Sequence, residues 1–142
     1  MYIRNEDTIY APATVPGTGA ISIIRIRGPD ALSIADKVVS CRRSSISSAK
    51  GYTMKFGTIR DMSGEIVDEV IASVFRAPHS YTGEDSVELS CHASSYIVSA
   101  VMQLLSEAGA RAAEPGEFTQ RAFLNGKMDL AASESVMALI GA

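Results

Sequence analysis

Tryptophan is missing from these 142 residues, and cysteine and histidine occur only twice each. Two thiols, Cys41 and Cys91, are too few for a disulfide framework, so both are expected to be reduced. His79 and His92 have no close cysteine or histidine companion, and no metal site of recognisable ligand spacing can be assembled; none is expected. Positive charge is also short: 13 Lys and Arg stand against 16 Asp and Glu, for a net charge of −3. A broad grip on nucleic-acid phosphates needs clustered cations, so any RNA contact would need help from elsewhere. No apolar run reaches membrane-spanning length, and MYIRNEDT lacks the apolar core of a signal peptide. We expect a soluble, cytoplasmic chain with no membrane partner. A phosphate loop is absent too. The pattern GxxxxGK[ST] does not occur, and a dinucleotide GxGxxG would need glycine where Ser22 stands, so Val15-Pro16-Gly17-Thr18-Gly19 reads as a turn.

What is present is ordinary globular composition, 46% apolar and 20% charged, in a length that suits one domain with a real core. Residues 7–14 are extended. AISIIRIR, 20–27, is short and isoleucine-rich, as a buried strand is. Arg25 and Arg27 share parity with Ile21 and Ile23; Arg27, at the exit before Gly28, is expected in solvent, which leaves Arg25 as the candidate. Pro29 opens a helix to about Val39, with Leu32, Ala35, Val38 and Val39 as its buried stripe. The serine-rich 40–50 is expected to be a flexible connection; Arg42 and Arg43 within it suit a solvated loop better than an RNA contact. Residues 50–60 and 66–75 form a hairpin across Asp61-Met62-Ser63-Gly64. Both faces of its second arm are largely apolar, which predicts a central or interface strand, with Asp68 and Glu69 exposed at its entry. Ser94 or Ser95 caps a helix that Gly109 ends, 110–113 adds a short strand, and a helical turn follows at 118–124. Lys127 comes directly after the turn dipeptide Asn125-Gly126. A last amphipathic helix begins at Leu130.

The stretch HSYTGEDSVELSCH, 79–92, carries the most chemistry. It starts as a loop around Gly83 and continues as a strand in which Val87, Leu89 and Cys91 take one face and Ser86, Glu88, Ser90 and His92 the other. For Ser86 and Ser90 solvent is the expected neighbour. Glu88 is different, because glutamate is depleted in strands. A carboxylate fixed there is a rigid acceptor for a ligand edge with two adjacent N–H donors.

The blocks DTIYAPAT, PGTGAISIIRIRGPDAL, FRAPHSYTGEDSVELSCH and EAGARAAEPGEFTQRAFLNGKMDLAASESVMALI resemble successive motifs of the MnmE (TrmE) family of tRNA-modification GTPases. The likeness spans the chain apart from about 39–55. It implies an α+β fold, a mixed β-sheet covered by helices and similar to the tetrahydrofolate-binding domain of the glycine-cleavage T-protein. It also implies a folate-binding and dimerisation domain over 1–128 and the start of a helical domain over 129–142. The implied ligand is formyl-tetrahydrofolate or a related reduced folate. GTP, Mg and K belong to a GTPase domain whose motifs are not in this sequence, so the chain alone is expected to hydrolyse no GTP. The implied partners are a second copy in a homodimer, the flavoprotein MnmG, and tRNA through the full-length complex. Carried over by position, the folate contacts fall on Arg25, Glu88 and Lys127. The chemistry agrees: Glu88 can accept the paired donors of a pterin, and either cation suits the glutamyl carboxylates. One departure is His92-Ala93-Ser94, where the family often has HGG, and it bears on how closely backbone can approach there. Two other readings stand beside this one. Arg25, Glu88 and Lys127 could pair with one another or with Glu84 and Asp85, leaving a dimerisation module without a folate site. A free-standing one-carbon transferase would need a catalytic acid that is not recognisable here.

Overall fold

The computed structural model describes residues 7–13, 20–80 and 82–126. Their elements run β1 (Ile9–Pro12), β2 (Ile21–Arg27), α1 (Ala31–Val38), β3 (Val39–Cys41), β4 (Thr53–Arg60), β5 (Ile66–Phe75), β6 (Ser86–His92), α2 (Ser95–Glu107), β7 (Arg111–Ala112) and α3 (Glu117–Leu124). The strands make one mixed sheet in the order β3-β4-β5-β6-β2-β1-β7, with β1 and β7 parallel and every other pairing antiparallel. With helices packed against it, this is the α+β arrangement expected from the sequence. The turn at 15–19, Lys127 and the helix expected from Leu130 lie outside the described residues.

Strand alternation decides which face is covered. Ile24 and Ile26 of β2, Val70 and Val74 of β5, and Val87 and Leu89 of β6 point to one side, where they pack with Ile34 and Val38 of α1 and Val101 and Leu105 of α2. Burying an aliphatic side chain of this size contributes about 1.5–3 kcal/mol, so this face supplies the fold's main driving force. Among the described residues no helix covers the β4–β5 half of the other face. Tyr52, Met54, Phe56 and Ile71 lie on it, with Met54 69% and Phe56 63% exposed. As expected, β5 is flanked by strands on both sides, and its open face alternates the apolar Val67, Ile71 and Phe75 with Glu69 and Ser73.

The helix boundaries have local causes. Asp30 caps α1 through position alone, making no side-chain capping bond. Just before it, Gly28 has φ +134°, and a β-carbon there would lie 2.7 Å from the Thr8 Cα, so only glycine fits. For α2, Ser94 Oγ accepts the Ile97 N–H. That helix closes with Gly109 at φ +116° while Ala110 N–H reaches back to Leu105 O and Gly109 N–H to Ser106 O, a Schellman ending.

Four expectations are corrected. Residues 40–50 are not a loose connection: Val39–Cys41 pairs with β4, and Ile46 is fully buried. The Asp36 carboxylate accepts the N–H groups of Ile46 and Ser47, at 2.6 and 2.8 Å, so one isoleucine and one acid pin a serine-rich segment. Asp68 is buried instead of exposed, because β5 and β6 part there and its carboxylate accepts the His92 N–H and faces His92 Nδ1, both at 2.8 Å. Ser86 is 2% exposed, at the floor of a cleft, instead of facing open solvent. Arg27 is 1% exposed, its guanidinium 4.4 Å from the Phe118 ring centre. The chain returns as α3 over the end of β2, a coverage no local pattern announces.

Candidate functional site

Arg25 and Glu88 are direct cross-strand partners in the β2–β6 ladder. Both project from the open face, and Arg25 Nε donates to Glu88 Oε2 at 2.9 Å. The two side chains keep 28% and 23% of their surface, so the pair is accessible to a ligand. Beside it opens a cleft of about 410 Å³, within the usual size of small-molecule sites. Its floor is Arg27, Ser86 and Glu88 from β2 and β6, and its wall is Tyr52 and Phe75 with His79 and Ser80. Two of the three expected site residues are thus brought together. Lys127 lies outside the described residues. The acids offered as alternative partners are engaged elsewhere: Asp85 Oδ1 accepts the Ala77 N–H at 2.8 Å and Glu84 meets Arg121.

The loop that walls the cleft is tied down by a charge cluster the sequence did not announce. Arg121 of α3 is fully buried. Its guanidinium donates to Asp7 O and Oδ1 at 2.7 and 2.6 Å, and to Glu84 Oε2 and Glu117 Oε2 at 3.2 Å each. Arg111 holds the same Asp7 and Glu117 at 2.6 Å each. Hydrogen bonds from Arg111, with its charge and that of Arg121, keep Asp7 below the usual carboxylate range despite burial. For Glu117 burial is the largest influence and acts upward, yet the Arg111 hydrogen bonds and both guanidinium charges overrule it, and the carboxyl is lowered. In Glu84 burial wins: its carboxyl is pushed up even though Arg121 and Arg27 pull the other way. Burial likewise pushes the Cys91 thiol up to about 11, with the Asp68 charge adding to it, as befits a thiol on the apolar side of β6.

Sequence reasoning missed Tyr52, Phe75 and Arg27 as parts of the cleft. Arg27 carried a signal in its shared parity with Arg25. Tyr52 carried none: it precedes β4 and has φ +61°, a left-handed backbone that costs a residue with a β-carbon about 1–2 kcal/mol.

Comparison with known proteins addresses the origin of this arrangement. The profile of the family described as GTP-binding protein TrmE N-terminus matches residues 8–127. The chain belongs to that family. Relatives named tRNA modification GTPase MnmE agree. The protein of Bacteroides thetaiotaomicron is 55% identical over 138 residues, 96% of this chain and 29% of that protein. That of Parabacteroides distasonis is 51% identical over 135 residues, 94% of this chain and 29% of that protein. That of Moorella thermoacetica is 51% identical over 139 residues, 96% of this chain and 30% of that protein. The chain therefore spans about 30% of the length of these MnmE relatives. The matched TrmE region contains β1 to α3, and with them the cleft, the Arg25–Glu88 pair and the buried charge cluster apart from Asp7, which lies one residue before it.

Proposed function

We propose that this chain is the reduced-folate-binding and self-associating part of a tRNA-modification GTPase. The observation that carries the reading is Glu88, a carboxylate fixed mid-strand at the edge of a 410 Å³ cleft and still accessible. A pterin presents an amino group and a ring N–H side by side, and a fixed carboxylate accepts both as charge-assisted bonds. Arg25, Arg27 and Lys127 provide positive charge for the acidic glutamyl tail. In this reading the fold shares its plan with the folate domain of the glycine-cleavage T-protein. The exposed row of Met54, Phe56 and Ile71 is the surface on which a second copy docks, since apolar patches of this kind mark interaction sites. GTP with Mg and K acts in the GTPase portion of the longer relatives, and MnmG is the partner with which the assembled protein modifies the tRNA wobble uridine, in the cytoplasm. Among the described residues no helix is long and apolar enough to cross a membrane.

Isothermal titration with formyl-tetrahydrofolate tests the site. Glu88→Ala should abolish binding, whereas unchanged affinity would remove Glu88 from the reading. A second reading draws on the Arg25–Glu88 bond itself: if that pair is purely structural, the chain is a dimerisation module without a folate site. Sedimentation would then report a dimer that ignores folate.

A further inference from the structure

Tyr52 combines three features that the fold alone does not explain. It is the one residue other than glycine with positive φ among the described residues. Its side chain lines the cleft, yet the residue is 73% exposed. Its position is also fixed: the Tyr52 N–H donates to Val74 O at 2.7 Å, and Arg76 donates to Ser47 O and Ala49 O, tying the approach to Tyr52 against the end of β5. A left-handed backbone is normally given to glycine, and a glycine stands next door at 51. An exposed ring recovers little by burial. Among the described residues its ring contacts are a perpendicular one with Phe75, ring centres 6.2 Å apart, and a tilted one with His79 at 6.1 Å. Backbone strain that the surrounding packing imposes without repaying belongs to binding sites more often than elsewhere.

We infer that Tyr52 is the stacking wall of the cleft, holding a flat heteroaromatic ring against its face while Glu88 accepts that ring's N–H groups. The inference rests on the folate reading and adds to it a residue that controls affinity for the ring, distinct from the charges that hold the tail. Stacking on an aromatic face recognises planarity and tolerates changes of ring substituent, whereas the carboxylate reads the donor edge. Together they select a planar aminopyrimidinone ring with adjacent donors, the flat half of a reduced pterin.

The test is Tyr52→Gly, which removes the ring and relieves the backbone, with Tyr52→Asn as a second ring-free variant that tolerates positive φ. Titration with formyl-tetrahydrofolate should show about a tenfold or larger loss of affinity in both, while Tyr52→Phe stays close to wild type. Thermal melting should show Tyr52→Gly at least as stable as wild type. Wild-type affinity in both ring-free variants overturns the inference and leaves the folate reading intact. Sedimentation on the same samples separates a wall from a contact between copies: affinity lost only together with self-association also overturns it. Absence of folate binding by the wild type overturns the folate reading and this inference with it.

Discussion

Single residues in this protein show how neighbours across the sheet reassign a side chain's role. Asp68 and Glu69 are adjacent acids at the start of β5, but alternation sends one into the interior and leaves the other outside. Burial acts to raise the Asp68 carboxyl, and the N–H groups of His92 and Glu69 together with the His92 ring overrule it, so the group ends below its ordinary value. A carboxyl lowered by folding contributes stability that is present above its unfolded value, about 3.9, and lost as pH falls through the folded one. Asp68→Asn should therefore cost about 1.5–3 kcal/mol near neutral pH. The gap between variant and wild type should close as pH drops below about 4, as urea unfolding at pH 7 and pH 3 would record. Arg27 teaches the same lesson with opposite charge. Its place in the strand was readable, but its burial was not, because Phe118 arrives from 91 residues later in the chain.

At the scale of elements, α3 is held less by grease than by charge. It has one fully buried small apolar residue, Ala122, and around it Glu117, Thr119, Gln120 and Arg121 are buried as well. Arg121 fastens the helix to Asp7 before β1 and to Glu84 before β6, so three distant segments meet on one guanidinium. Arg121→Met keeps the volume and removes the charge, leaving Glu84 and Glu117 buried with less compensation. A loss of about 3–5 kcal/mol is expected, since breaking one side of a buried ion pair strands the other. Denaturant titration monitored by circular dichroism measures it; a change below about 1 kcal/mol would mean that solvent reaches the cluster freely. The helix itself was legible as a short turn at 118–124. Its function as a clasp was not, because the acids it binds are scattered through the sequence.

The whole molecule has one covered sheet face and one that is open where β4 and β5 present Met54, Phe56 and Ile71. These residues contribute little to the stability of a single copy, because they are exposed in it. Phe56→Asp should shift folding stability by no more than about 0.5 kcal/mol. In the proposed dimer the same change buries a charge in an apolar contact and should convert the sedimenting species to a monomer at micromolar concentration. A dimer that survives it would place the contact elsewhere. Because Tyr52, just before β4, and Met54, within it, lie two residues apart, the cleft and the apolar row adjoin.

Most of the strands, a helix cap at Ser94 or Ser95 and an ending at Gly109, the hairpin, the family, and the candidacy of Arg25 and Glu88 were legible in the chain's local patterns. These follow from alternation, turn chemistry and ordered motifs, all of which act over a few neighbouring residues. That Arg25 and Glu88 meet, that Arg27, Asp68 and Ser86 are buried, and that Tyr52 lines the cleft comes from three-dimensional packing. So does the sharing of Asp7 and Glu117 by Arg111 and Arg121, with Glu84 held by Arg121 alone of the two. Each of those depends on which strands lie side by side and which helix covers them, and a pairing across tens of residues leaves no trace in local periodicity.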